Sequence, residues 1–131
     1  MSTTTIKIQE NKLAPEGFLK FAFVQLSFQN IIIWNLARHD FAAIRFEVGA
    51  GYNIIRFIHK PENKTYFSNN GRAEFHFVNM AIHISTGVIE IVEMKTGLRK
   101  TIAVLANHTL EQIGERMAQE IVELYNAREA K

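Results

Sequence analysis

Basic residues are concentrated in one segment of this 131-residue chain, residues 52–72. Four basic side chains and one acidic side chain give the segment a net charge of 4 − 1 = +3, although the whole chain carries only +2. Arginine and lysine neutralise phosphate groups, and an aromatic ring such as Phe67 accepts a stacked base whatever its identity. This composition favours binding of single-stranded nucleic acid or another anionic polymer. The four basic residues are Arg56, Lys60, Lys64 and Arg72.

Turn residues predict how the strands around this segment pair. Ala50-Gly51 and Asn70-Gly71 suit two-residue hairpin loops, because glycine and asparagine tolerate a positive φ. We place Pro61-Glu62 at the centre of the turn between them. The resulting register puts apolar side chains on one side of four strands, and a slip of one residue would reverse it. The predicted pairs on that side are Phe46–Ile55, Ile44–Phe57, Phe57–Tyr66 and Tyr66–Phe75.

The same register places Arg45 directly opposite Arg56 on the other side of the sheet, and Phe67 next to Arg56. Like charges opposite each other destabilise a sheet, so a compensating group is expected. Either an anionic ligand supplies it, or Glu47 pairs diagonally with Arg56 in a face that further structure covers. The second interpretation makes core residues of Ile54, Ile58 and Phe67. The first predicts a ligand site formed by Arg45, Arg56, Phe67, Arg72, Lys60 and Lys64.

Other chemistry finds little support in the residue types. The chain has no cysteine, which excludes a thiol nucleophile, a disulfide and a cysteine-ligated metal. Its five histidines show none of the HxH, HxxxH or HExxH spacings of metal sites. His39-Asp40 lacks a nucleophile in a GxSxG-like turn. We therefore expect a non-enzymatic protein with no catalytic residue, metal or cofactor.

The turn signals divide the first 105 residues into short segments rich in β-branched and aromatic residues, which is typical of consecutive antiparallel strands. Two assignments stay open. Pro15-Glu16 is also a suitable helix start for residues 15–27, and residues 36–44 contain apolar side chains near helical spacing. The predicted strands are 5–9, 18–28, 31–35, 41–48, 52–59, 64–68, 72–78, 80–85, 88–94 and 99–105.

The C-terminal segment has the pattern of an amphipathic helix. Thr109 and Gln112 form a capping box, and apolar residues follow at steps of three and four. We predict a helix over 109–128, with Met117 and Ile121 buried against the sheet. Four glutamates, at 111, 115, 120 and 123, mark its wet side. Ala118, Val122 and Tyr125 widen the apolar side, which suggests a subunit contact and a homo-oligomer.

Together these patterns predict a single α+β domain spanning 1–131, strand-rich over 5–105. It would be a mostly antiparallel sheet or partly closed barrel of consecutive hairpins with one C-terminal α-helix packed on it. The N-terminus has no signal-peptide pattern, so we expect a cytoplasmic, intracellular protein without a membrane span. The element order resembles that of pleckstrin-homology-like modules and Whirly-type single-strand binders. If 18–28 and 31–35 are not strands, it is similar to helix-grip lipid-binding proteins.

Three functions are compatible with these expectations. The first is binding of single-stranded nucleic acid or another polyanion on the basic strand face. The second is a protein-interaction or assembly module, either a pleckstrin-homology-like adaptor or a small virion or phage component. The third is a small-molecule pocket between the sheet and the helix.

Overall fold

The computed structural model describes residues 12–49, 51–63 and 76–129 of the chain. In these ranges one open antiparallel sheet of five strands, in the order β1-β2-β3-β4-β5, carries helices on one side. The α+β prediction is confirmed, with an open sheet rather than a barrel. The predicted strand 5–9 lies outside the described residues. The elements are α1 (Glu16–Phe23), α2 (Leu26–Ala37), β1 (Phe41–Gly49), β2 (Tyr52–His59), a 3-10 helix (Lys60–Asn63), β3 (Phe77–Ser85), β4 (Val88–Glu93), β5 (Arg99–Ala103) and α3 (Leu110–Glu129).

The predicted strands 18–28 and 31–35 are wrong, because both segments lie in α1 and α2. Pro15 precedes the first turn of α1 with φ −63° and ψ 143°, and the helix begins at Glu16. The buried residues of α2 follow at four-residue steps, which brings them to one side of a helix: Phe28, Ile32 and Leu36. The proposed short helix over 36–44 is absent, since α2 ends at Ala37 and β1 begins at Phe41.

α3 covers the same side of the sheet. The capping box is formed: the Thr109 N–H donates to Gln112 Oε1 at 2.9 Å, and the Gln112 N–H donates to Thr109 Oγ1 at 3.1 Å. Met117 and Ile121 are fully buried, as predicted. Together with residues of the strands, such as Ile55 and Phe57, they form one apolar core under the three helices.

Two expectations for the surface of α3 are wrong. Ala118 and Tyr125 are buried within the chain and Val122 is partly buried against the core, so two of the three predicted contact residues are not free for a second subunit. Glu120 is also buried. Its charge is offset by two cations, since Arg116 Nε lies 2.7 Å and Lys100 Nζ 3.6 Å from its carboxylate oxygens. The breadth of the apolar pattern reflects packing against α2 as well as against the sheet.

A bulge in β1 sets which side chains face the helices. Gly49 pairs with Tyr52 across the predicted two-residue loop, and Phe46 pairs with Ile55 as expected. The register shifts between Ala42 and Arg45, so the predicted Ile44–Phe57 pair is replaced by an irregularity. Ala43 lies there with φ +53°, a left-handed conformation unusual for a residue with a side chain.

The neighbour of β2 differs from the prediction. β2 pairs with β3, so Phe57 lies opposite Val78 and Arg56 opposite Asn79, rather than opposite Tyr66 and Phe67. The predicted strand 64–68 and most of 72–78 lie outside the described residues. The segments predicted as 72–78 and 80–85 meet in one strand from Phe77 to Ser85.

The Asn63 side chain links the end of β2 to the residue that precedes β3. Its Nδ2 donates to the His59 carbonyl at 2.8 Å, and its Oδ1 accepts from the His76 N–H at 2.7 Å. The Asn63 side chain is buried, so its two hydrogen bonds are shielded from water. They connect residues that precede and follow the 64–75 segment.

No single helix in the described ranges is long and apolar enough to cross a membrane. α1 and α2 taken together do have the length and composition, but their axes are bent by 71° at the junction.

Candidate functional site

Two arginines lie side by side on the sheet surface that faces away from the helices. Arg45 of β1 is directly opposite Arg56 of β2, as the turn-based register predicted. The adjacent pair, Phe46 and Ile55, points to the core side, because successive residues of a strand alternate between faces. Arg45 is exposed and Arg56 is half-buried. We call the surface formed by Arg45, Arg56 and Phe77 the arginine face.

Phe77 holds the guanidinium group of Arg56. The guanidinium carbon lies 4.0 Å from the centre of the Phe77 ring, well within cation–π distance. Phe77 is 38% exposed, so this contact lies at the surface of the protein. The Arg56 Nε is buried and has no hydrogen-bond partner in the described part of the chain. Arg56 therefore combines a ring contact with a buried Nε that is unbonded among the described residues.

Within residues 12–49, 51–63 and 76–129, no carboxylate forms an ion pair with the arginine face. Among the residues that the structure describes, neither Arg45 nor Arg56 takes part in an ion pair, and the predicted diagonal pair of Glu47 with Arg56 is not formed. Another arginine on the same side of the sheet, Arg99, does have a carboxylate, since its Nη1 lies 3.3 Å from Glu90 Oε2. Arg45 and Arg56 thus differ from Arg99, which has a carboxylate partner in the described part of the chain.

The exposure of the sheet surface changes beside the arginine face. Ile58, which pairs with Phe77 across β2 and β3, is only 2% exposed, and Ile54 is half-buried. The interpretation of a covered face thus applies near Ile58, whereas the face is open at Arg45.

The structure unites only part of the predicted site. Lys60 is exposed at the start of the 3-10 helix that follows β2. Lys64, Phe67 and Arg72 lie outside the described residues. Asn79 is the residue opposite Arg56, the position predicted for Phe67, and the aromatic ring that contacts Arg56 belongs to Phe77, diagonally across the same strand pair. Apolar residues at 78, 80, 82 and 84 alternate without interruption, which indicates one continuous strand that begins near Phe77. The prediction had instead ended one strand at 78 and begun the next at 80, with Asn79 between them.

A second polar cluster, missed by sequence reasoning, fixes α3 to the end of β2. The Tyr125 hydroxyl donates to Glu62 Oε1 at 2.5 Å and lies 3.1 Å from His59 Nδ1. Arg128 Nη1 is 3.5 Å from the same glutamate oxygen. The Phe41 ring packs edge-on against Tyr125. Tyr125 is buried, so the cluster acts as a joint between elements distant in sequence.

Glu93 is a third polar centre and closes the turn between β4 and β5. Its carboxylate accepts hydrogen bonds from the Lys95 N–H at 3.1 Å, the Thr96 N–H at 2.8 Å and the Thr96 hydroxyl at 2.7 Å. Burial raises the pKa of Glu93, but the Thr96 and Lys95 hydrogen bonds and the charge of Arg128 outweigh it. The net pKa is lowered from the ordinary value.

The space between the sheet and α3 is filled by side chains at its centre and open at the edge beside β5. The side chains of Met80, Met117 and Ile121 are fully buried there and fill the layer between the two elements. At the edge of the same layer, a cleft of about 330 Å³ lies between β5 and α3, and its lining includes Ile102, Ile113 and Arg116.

Comparison of the chain with protein-family models, with curated proteins and with solved structures gives no match in any of the three.

Proposed function

We propose that this protein is a non-enzymatic binding module that holds single-stranded nucleic acid, or a polyanion of similar charge spacing, on the arginine face. The observation that carries the proposal is the pair Arg45 and Arg56, directly opposite each other with no carboxylate in an ion pair with either among the described residues. A phosphate between the two groups would turn mutual repulsion into two charge-assisted contacts.

Phe77 gives this site a second capability. The guanidinium carbon of Arg56 lies 4.0 Å from the centre of the Phe77 ring, and we propose that the side of the guanidinium away from the ring receives a base. Bases of single-stranded nucleic acids stack on arginine planes as well as on aromatic rings. The ring thus supports base stacking through Arg56, whereas the sequence had assigned direct stacking to an aromatic residue.

The test is a titration of fluorescent oligo-dT and oligo-rU with the full chain at several salt concentrations. We expect binding that weakens with salt. Arg45→Ala and Arg56→Ala should each lower the slope of log K against log salt by about 0.7, the value for one phosphate contact on a single strand.

Arg99→Ala is the matched control, because Arg99 lies on the same side of the sheet but is paired with Glu90. It should leave the slope unchanged. A polyphosphate competitor distinguishes a general polyanion site from one that needs bases. If the parent protein binds neither oligonucleotide nor polyphosphate at low salt, or if Arg99→Ala acts like Arg56→Ala, the proposal is wrong.

The assembly function remains the second candidate, and it rests on a different surface. Five large apolar side chains are exposed along α1 and at the β1–β2 hairpin, where no basic pair lies: Phe18, Phe21, Val24, Val48 and Tyr52.

A further inference from the structure

The cleft between β5 and α3 joins apolar walls to a small set of polar side chains. Its volume of about 330 Å³ lies at the lower end of the range for small-molecule sites. The apolar part of the lining consists of buried residues, Ile102 and Val104 on the side of the sheet and Ile113 on α3. The polar part determines which ligand the cleft can hold. We call this site the β5–α3 cleft.

His108 lines the β5–α3 cleft as a hydrogen-bond donor. Its Nδ1 accepts from the Leu105 N–H at 3.0 Å. A ring nitrogen that accepts a hydrogen bond carries no proton, so the neutral imidazole has its proton on Nε2. This Nε2 has no hydrogen-bond partner within residues 12–49, 51–63 and 76–129. The half-buried ring can therefore donate to a group in the cleft.

Gln112 is a second donor of the lining. Its Oε1 accepts from the Thr109 N–H in the capping box, which fixes the orientation of the amide. The amide nitrogen makes no hydrogen bond to the described part of the chain. The capping box thus uses the acceptor of this side chain and leaves its two N–H groups for another molecule.

Arg116 supplies the cation. It lies four residues after Gln112 in α3, so the two side chains share one side of the helix. Its Nε is 2.7 Å from Glu120 Oε2, and the guanidinium has further N–H groups at its exposed end. Glu120 is buried, so its carboxylate holds the base of the guanidinium without closing the cleft.

These three side chains share one property, since each has donors for the cleft while its acceptor, if it has one, is already bonded within the chain. A ligand must then bring acceptor oxygens, and the Arg116 charge favours an anion. Glu115, an exposed carboxylate of the same lining, opposes a second negative charge. A carboxylate meets these requirements better than a phosphate dianion does.

We propose that the β5–α3 cleft binds a small organic monocarboxylate. Its carboxylate accepts from Arg116, Gln112 and His108, and its apolar body lies against Ile102, Val104 and Ile113. The site contains no residue of the arginine face, so it is separate from the polyanion site.

The experiment is a titration of the ¹⁵N-labelled full chain with hexanoate, followed by amide chemical shifts. We expect saturable binding with a Kd of about 1 mM, which is ordinary for a ligand of so few atoms. The shifts should be concentrated at residues 102–104 and 108–119, which contain the lining. Hexan-1-ol has the same apolar body without the carboxylate and should bind at least about tenfold more weakly.

Gln112→Glu is the sharpest variant. A carboxylate at 112 can still accept from the Thr109 N–H, so the capping box and the thermal stability should be retained. It replaces the amide donor by a negative charge, and hexanoate affinity should fall about tenfold or more. Asn126→Asp is the matched control, because it adds the same charge at an exposed position of α3 outside the cleft. It should bind hexanoate as the parent does.

Arg116→Met provides an independent variant, which removes the cation and should also weaken hexanoate binding about tenfold or more. Thermal melts show which variants are folded. The proposal is overturned if the parent shows no saturable shifts up to about 20 mM hexanoate, roughly twenty times the expected Kd. Equal affinity for hexanoate and hexan-1-ol, or parent-like binding by a folded Gln112→Glu or Arg116→Met, would also overturn it. Arg56→Ala should bind hexanoate normally, so failure of this site and failure of polyanion binding are separate results.

Discussion

The guanidinium carbon of Arg56 lies 4.0 Å from the centre of the Phe77 ring. The two residues are on adjacent strands but not in opposite positions, since Arg56 pairs with Asn79. The contact places the guanidinium beside a residue of β3, whereas Arg45 lies on β1, the strand on the other side of β2. Arginine is suited to this contact because its charge is planar and stacks on aromatic faces, which lysine cannot reproduce.

Arg56→Lys separates the charge of the site from its flat shape. We expect oligonucleotide affinity to fall by about tenfold, the effect of roughly 1–3 kcal/mol from lost stacking. The dependence of affinity on salt should stay the same, because the cation is retained. Fluorescence anisotropy at several salt concentrations measures both quantities. An unchanged affinity would show that only the charge of Arg56 matters.

Ile121→Ala tests the packing of α3 on the sheet. The side chain is fully buried in the core, so its truncation should lower the free energy of unfolding by about 2–5 kcal/mol. Urea denaturation followed by circular dichroism provides the measurement. Gln119→Ala, at an exposed position of the same helix, should change stability by less than about 0.5 kcal/mol.

Thr109→Ala tests the capping box at the start of α3. It removes the hydroxyl that accepts from the Gln112 N–H and should cost about 1 kcal/mol of stability. Thr109→Ser keeps the hydroxyl and should stay close to the parent protein in the same denaturation experiment. Equal losses in both variants would mean that the bond contributes nothing.

Glu93 predicts a specific response to acid. Its folded pKa is below the ordinary value of 4.5, so the charged carboxylate adds stability at neutral pH. This contribution is lost as the pH falls from about 4.5 through the lower folded pKa, because protonation then favours the unfolded chain.

Glu93→Gln should therefore be less stable than the parent at pH 7, by about 1–3 kcal/mol, since the amide cannot accept all three hydrogen bonds. Its stability should also fall less steeply below pH 4.5. Melting temperatures of both proteins across the acid range test the expectation. Parallel curves for the two proteins would contradict it.

The parts of the fold that the sequence predicted are those set by local chemistry. Gly51 fixed the β1–β2 loop and with it the Arg45–Arg56 pair, and Thr109 with Gln112 marked the start of α3. α1 and α2 were mistaken for strands because apolar residues occur on several sides of them, which hides the helical period. The aromatic content of the region then favoured β structure.

The partner of Arg56 could not be found from turns alone. Pro61-Glu62 resembled the centre of a hairpin, but it lies in a 3-10 helix, and the bond from Asn63 to His76 brings a later strand alongside β2. That bond joins residues thirteen apart in the chain. Tertiary contacts of this kind leave no periodic pattern in the sequence.

The bulge at Ala43 allows β1 to be one residue shorter. β1 contains one residue more than its pairing with β2 requires, because Phe41 pairs with His59 but Arg45 pairs with Arg56. Loss of one alanine from the pair Ala42-Ala43 would leave Phe41 and Ile44 towards the helices and Arg45 towards solvent. It would also remove the left-handed residue. A deletion inside a strand ordinarily reverses the faces of every residue beyond it. Here we expect the shortened chain to fold with an unchanged arginine face, which its circular dichroism spectrum and oligonucleotide titration would show. Two forms of the chain that differ by one residue in β1 can therefore have the same strand pairing and the same side chains on each face of the sheet.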